Sequence, residues 1–299
     1  MIAPRVILLL GIVLSVLVAP VAFADPGVGN PDELRQAKEW NASAEQYMTR
    51  GAYEEARQLY LRSLPVMEKA LGPEHPATVT TLGNLCDASI RMSAYLDAKP
   101  LCMRALALRE KVLGPNDNDV ARSLSDLGLL YANEGDLAHA GSLLDRALRI
   151  ANESENFRDM PALLNNLGFL YSKKKKYALA EDSFERAIAS TEKRSGPEDP
   201  DLVTMLSNVA NVYLANRKFG IAEERFRRAL EISEHSRGSA EVDSVRPLLG
   251  LARAEAGLGN RIEAKTFLER AESVVERNHQ AYLEWRGTIE SARLDLVGR

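Results

Sequence analysis

Over most of residues 37–277 the apolar positions recur at spacings of three, four and seven. Each run therefore places its apolar side chains on one face of a helix and its polar ones on the other. The runs break regularly. A first helix ends near Gly51, Ser93, Gly135, Lys175, Arg217 or Gly259, and a second begins a few residues on. The second ends at Gly72-Pro73, Gly114-Pro115, Gly196-Pro197 and Gly238. Gly just past a helix accepts a left-handed turn, and Pro beside it cannot extend the helix. No stretch after residue 30 combines sustained alternation with β-branched enrichment, so the pattern predicts an all-α chain of helical hairpins.

The hairpins repeat. Arg62, Arg104, Arg146, Arg186, Arg228 and Arg270 are separated by 42, 42, 40, 42 and 42 residues. Aligning the copies on this Arg exposes three small columns. One runs Ala44, Cys86, Gly128, Gly168, Ala210, Ala252; one is Ala at 56, 98, 140, 180, 222 and 264; one follows the Arg itself. Small residues let two antiparallel helices approach closely. Two large columns fill the space: Trp40, Leu82, Leu124, Leu164, Leu206, Leu248, and Tyr60, Cys102, Leu144, Phe184, Phe226, Leu268. A fixed period of this length marks an array in which each repeat buries its core against its neighbours.

These columns resemble the tetratricopeptide repeat. The first copy carries the pattern as Trp40, Ala44, Tyr47, Gly51, Tyr53, Ala56 and Tyr60, and the third and fourth as Leu127-Gly128-Leu129-Leu130-Tyr131 and Leu167-Gly168-Phe169-Leu170-Tyr171. The extra length and the linker Leu71-Gly72-Pro73-Glu74-His75-Pro76 are similar to the kinesin-light-chain type. The resemblance implies a right-handed α-solenoid of six hairpins, at about 37–76, 77–118, 119–158, 159–200, 201–241 and 242–278. Departures are few: Arg261 replaces the turn aromatic of the sixth copy. Ser89 and Glu255 stand where a Tyr is usual, and the sixth copy reads as a degenerate end repeat. Residues 279–299 carry Tyr282, Trp285, Ile289, Ala292 and Leu296 at helical spacing, the pattern of a helix capping the open end.

Residues 1–24 read as a secretory leader: Arg5, an apolar run from Val6 to Ala19, and Ala22-Phe23-Ala24 before Asp25. Cleavage there gives an exported protein, periplasmic or secreted; retention gives an N-terminal membrane anchor. Residues 25–36 read as a flexible start. The net charge of −4 carries no basic stripe, which argues against nucleic acid. Lys173 to Lys176 form the one charge run, either a solvated turn or a contact for an acidic partner or anionic lipid. The two cysteines, Cys86 and Cys102, occupy facing columns of one hairpin. A disulfide and two buried thiols both fit, and export makes oxidation possible. A metal or redox site fits poorly, because no His stands near their spacing.

Nothing converges toward catalysis. His75, His139, His235 and His279 are scattered, and no phosphate-cradling, dinucleotide or zinc-protease motif is present. The chain is expected to be non-enzymatic, with no cofactor, metal or small-molecule substrate. The face of the first helices is the candidate surface. It carries Asn84, Asp126, Asn166 and Asn208 beside the small column, with Arg122, Asn165, Asn211, Arg246 and Arg253 nearby and Leu129, Phe169 and Leu214 as apolar contacts. By resemblance this face lines the concave groove. Asn can pair with both groups of an extended backbone, and it can equally bond the neighbouring helix. Similar repeats use groove asparagines on peptide ligands. The basic set of chaperone-tail clamps is missing, with Gly83, Ser125 and Ser207 near those places. The expected partner is a protein or a polar, mildly acidic peptide. Self-assembly and an anchored envelope module are the alternatives.

Overall fold

The computed structural model describes residues 30–154, 157–235, 240–277 and 285–293. The expected leader, residues 1–24, lies outside them. Among the described residues there are helices and no strand. Six antiparallel hairpins follow one another: α1 (Pro31–Thr49) with α2 (Tyr53–Leu71), α3 (Pro76–Arg91) with α4 (Tyr95–Leu113), and α5 (Asn118–Glu134) with α6 (Leu137–Glu153). Then come α7 (Met160–Lys173) with α8 (Tyr177–Ser195), α9 (Asp201–Ala215) with α10 (Phe219–His235), the short α11 (Ala240–Asp243), and α12 (Val245–Leu258) with α13 (Arg261–Glu276). Each second helix packs on the first helix of the next hairpin, and the first helices from α3 onward also touch in succession. The array is a solenoid whose inner face is built from α1, α3, α5, α7, α9 and α12.

The small and large columns meet within each hairpin. A Cβ added at Gly128 would fall 2.6 Å from Leu144 Cγ, and one at Gly168 would fall 2.8 Å from the Phe184 ring. Ala44 and Tyr60, Ala210 and Phe226, and Ala252 and Leu268 hold the matching places and are all buried. In the second hairpin the same two places are Cys86 and Cys102, joined as a disulfide with Cα atoms 5.2 Å apart. The crosslink occupies a site where the other repeats seat a large side chain over a small one.

The recurring Arg has a partner that its own period conceals. Arg104 pairs with Glu68 at 2.8 Å, Arg146 with Glu110, Arg228 with Glu192 at 2.6 Å, and Arg270 with Glu234. Each Glu lies 36 residues earlier, on the second helix of the preceding hairpin. Arg146 and Arg228 also donate to the carbonyls of Pro115 and Pro197 in the linkers. The 40-residue third repeat breaks the ladder. Asn152 stands where the Glu would be, and Arg186 turns to Asp182 on its own helix. Arg62, with no repeat before it, stacks on Trp40. Exposed pairs of this kind contribute about 0–1 kcal/mol each, so the ladder's main effect is to fix repeat-to-repeat register.

The turn between the helices of a hairpin uses one left-handed residue every time: Gly51, Ser93, Gly135, Lys175, Arg217 and Gly259, with φ between 57° and 91°. Ser93, Lys175 and Arg217 accept that conformation although they carry a Cβ. Lys174, Lys175 and Lys176 are exposed at this turn.

Two end regions differ from expectation or extend it. The segment read as flexible through residue 36 is helical from Pro31. Asn30 Oδ1 accepts the Asp32 N–H, Pro31 opens the helix, and Asp32 and Glu33 lie at its positive end. Ala37 is fully buried, and its carbonyl accepts from Ser63. At the other end residues 285–293 are helical, with Ile289 and Ala292 buried and Trp285 packed against the last repeats. Tyr282 and Leu296 of that expected cap lie outside the described residues. The sixth repeat is not loosely built: Glu255, in the Tyr place, is buried and accepts from Arg227 and Asn260.

Two outcomes follow for stability. Gly168→Ala forces a methyl into the Phe184 ring and should lower stability by about 1–3 kcal/mol, read as a fall in the thermal midpoint. Lys175→Gly and Arg217→Gly relieve the left-handed strain and should each gain about 0.5–1 kcal/mol in the same melt.

Candidate partner-binding groove

The inner face carries two kinds of residue. Leu129 and Phe169 occupy matching places on α5 and α7 and stay half-buried, and Leu214 on α9 is similar. Around them stands a chain of polar groups, much of it already engaged within the protein. Asn166 is buried and donates through Nδ2 to the Ser125 carbonyl and hydroxyl on α5. Asn208 Nδ2 donates to Asn165 Oδ1 at 3.1 Å, tying α9 to α7. Asn211 donates to the Ser207 carbonyl one turn back. Asn84 faces the Tyr60 hydroxyl and eases its ionisation, while burial and then Glu45 push that phenol up to about 12. The asparagine row thus bonds neighbouring helices first and offers a partner mainly the atoms left over.

The arginines divide in the same way. Arg122 Nε holds Asp159 at 2.7 Å; burial lowers its pKa, and Asp159, Asp119 and Asp126 together raise it above the usual value. Arg246 lies over the Trp285 ring, clamping the terminal helix to α12. Arg253 is exposed on α12.

Asp126 stands apart. Among the described residues no hydrogen bond reaches its carboxylate. Burial, and then Asp87 on α3, push its pKa up to about 7 against the pull of Arg109 and Arg122. Arg109 is itself buried beneath Gly83, donating to Ser123 and to the Asp119 carbonyl, and burial lowers its pKa. The second and third hairpins therefore meet around a cation. Beside it the same two hairpins share an apolar cluster, Cys86, Ala98 and Cys102 with Leu127 and Leu130; the largest cluster runs on from α5, and another fills α1–α4.

Asp87, Arg91 and Arg109 lie outside the repeat columns. Asp87 and Arg91 follow Asn84 by three and seven residues on the same face, so extending the column by two turns would have found them. Arg109 stands where other copies have Met67, Ala151 or Thr191, and nothing in its column announces a buried charge. Among the described residues no group of His, Cys, Asp and Glu could hold a metal ion.

Comparison with known proteins places this architecture. The tetratricopeptide repeat profile matches residues 36–88, 83–153, 159–235 and 201–277. No curated protein sequence matches significantly. Among solved structures, BtubC (BKLC) from P. vanneervenii aligns with a TM-score of 0.54 at 21% identity, over 80% of this chain and 90% of its own. NprR, solved with its cognate peptide NprX, aligns with a TM-score of 0.64 at 12% identity, over 86% of this chain and 71% of its own. PilW, a type IV pilus biogenesis factor, aligns with a TM-score of 0.53 at 16% identity, over 83% and 97%. At these identities the likeness is one of fold.

The Asp126 carboxyl gives a pH signature. Its folded pKa of about 7 lies above the ordinary 3.8, so the fold binds a proton more tightly than the unfolded chain does. Stability should fall as pH rises between about 4 and 7. Asp126→Asn cannot ionise; it should remove that slope and gain about 1 kcal/mol or more at pH 8, measured by denaturant titration across pH.

Proposed function

The chain belongs to the tetratricopeptide-repeat family, and from that premise we propose that it is an exported, non-enzymatic adaptor that holds a peptide segment or protein face in its inner groove. The observation that carries this reading is the pair Leu129 and Phe169. They stand in register on adjacent first helices, half-buried among polar groups that are already tied down. Apolar anchors on a rigid polar frame supply affinity at a lowered ordering cost. Arg253 and the Asn groups not used internally supply register to an extended chain. The peptide complex of NprR, a relative in fold, supports the peptide form of this reading.

Export rests on the leader pattern of residues 1–24 and is supported by the Cys86–Cys102 disulfide, which persists in oxidising compartments. A periplasmic or secreted location follows if the leader is cleaved; a retained leader would make the same array an anchored module.

The test is a capture from the native envelope fraction with wild type and a Leu129→Ser/Phe169→Ser pair. Both proteins should melt cooperatively, and partners held by wild type should drop at least about ten-fold with the pair. Equal capture by both would remove the groove from the account. Sequencing the exported protein from its N-terminus should begin at Asp25; a start at Met1 would replace secretion with anchoring.

A further inference from the structure

In a solenoid each repeat touches its neighbours, and the hydrogen bonds between hairpins here span up to 43 residues. Among the described residues one hydrogen-bonded contact does not follow this rule. Arg91 Nη1, at the end of α3, lies 3.0 Å from Asp201 Oδ1 at the start of α9, 110 residues away. It passes over the third and fourth repeats and joins the second to the fifth. Arg91 is built into this place. Asp87 holds it from one turn back at 3.4 Å, and its guanidinium lies 5.8 Å from the Tyr53 ring of the first repeat. Tyr53 in turn feels the charges of Asp201 and of Asp243 at the end of α11. The edge of the first two repeats is thus drawn onto the edge of the fifth and sixth.

We propose that the Arg91–Asp201 contact is a clasp that closes the inner groove over the third and fourth repeats and opens to admit a partner segment. The proposal rests on the groove reading given above and adds its regulation. The helices it joins, α3 and α9, flank α5 and α7, which carry Leu129 and Phe169. Neighbour packing does not require the contact, so it can break without unfolding any hairpin. Its strength suits a gate. Both side chains are about 40% exposed, and an exposed pair shifts an equilibrium by about five-fold at most. An acidic group on the partner would compete with Asp201 for Arg91 and so convert recognition into opening.

The clasp is testable without a ligand. The mature chain would be compared with Arg91→Asp, Asp201→Arg and the double exchange R91D/D201R. Small-angle scattering would be recorded at about 50 mM and about 500 mM salt, with circular dichroism as the folding control. Wild type should be compact at low salt and expand at high salt. Each single variant should be expanded at both, and the double exchange should be compact and salt-sensitive again. Hydroxyl-radical footprinting of Leu129 and Phe169 should rise about two- to five-fold in the single variants. Identical scattering and footprinting for all four proteins would overturn the clasp while leaving the groove reading intact. A clasp that opens as described in a protein that captures nothing through its groove would overturn the groove reading alone.

Discussion

Every hairpin of this protein closes on one steric constraint: a small residue on the first helix faces a large one sixteen places later on the second. At Gly128 and Gly168 the clearance is so small that a single methyl group would collide with Leu144 or Phe184. Because the distance between the paired helices is set there, so is the angle at which the second helix meets the next hairpin. The solenoid's curvature is the sum of those angles. The second hairpin meets the same constraint covalently, through Cys86 and Cys102. The outer Arg–Glu ladder then fixes the step from one repeat to the next.

Curvature explains why the inner face is chemically unusual. Winding the first helices together brings Asp87, Asp126 and Arg122 near one another, with Arg109 reaching in from α4, in a place where water screens poorly. Burial of an ionised carboxylate there outweighs the pull of Arg109 and Arg122, and Asp126 holds a proton to about pH 7. The same winding brings Arg91 to Asp201. The groove is therefore a face whose polar groups are mostly spoken for, with its exposed affinity concentrated in Leu129, Phe169 and a few outward cations. That division suits a binding module: rigidity comes from the internal bonds, and recognition from what remains.

Much of the fold was legible in the sequence because its determinants are local and repeated. The turn residues Gly51, Ser93, Gly135, Lys175, Arg217 and Gly259 were all marked by column position, and all six adopt positive φ. The flexible start failed because Asn30-Pro31-Asp32 is a helix-opening signal placed before the first periodic residue. The candidate site was less legible. Alignment put Asn166 and Asn208 on the inner face, but whether an amide meets a ligand or Ser125 depends on the separation of α5 and α7, which no column records. The Arg91–Asp201 contact lies further out of reach, since it depends on the accumulated rotation over three repeats. The Arg–Glu ladder was readable in principle: a Glu stands six residues after most of the repeated arginines.

Entry of a partner into the inner groove can be read by site-specific photo-crosslinking in the native compartment. A photoreactive residue would replace Leu129 or Phe169 on the inner face, and Leu96 or Ile262 on the outer face, where both are largely exposed. The account predicts that the inner positions crosslink to a common partner while the outer ones do not. Crosslinks to that partner from Leu96 or Ile262 alone would place recognition on the convex side and contradict it.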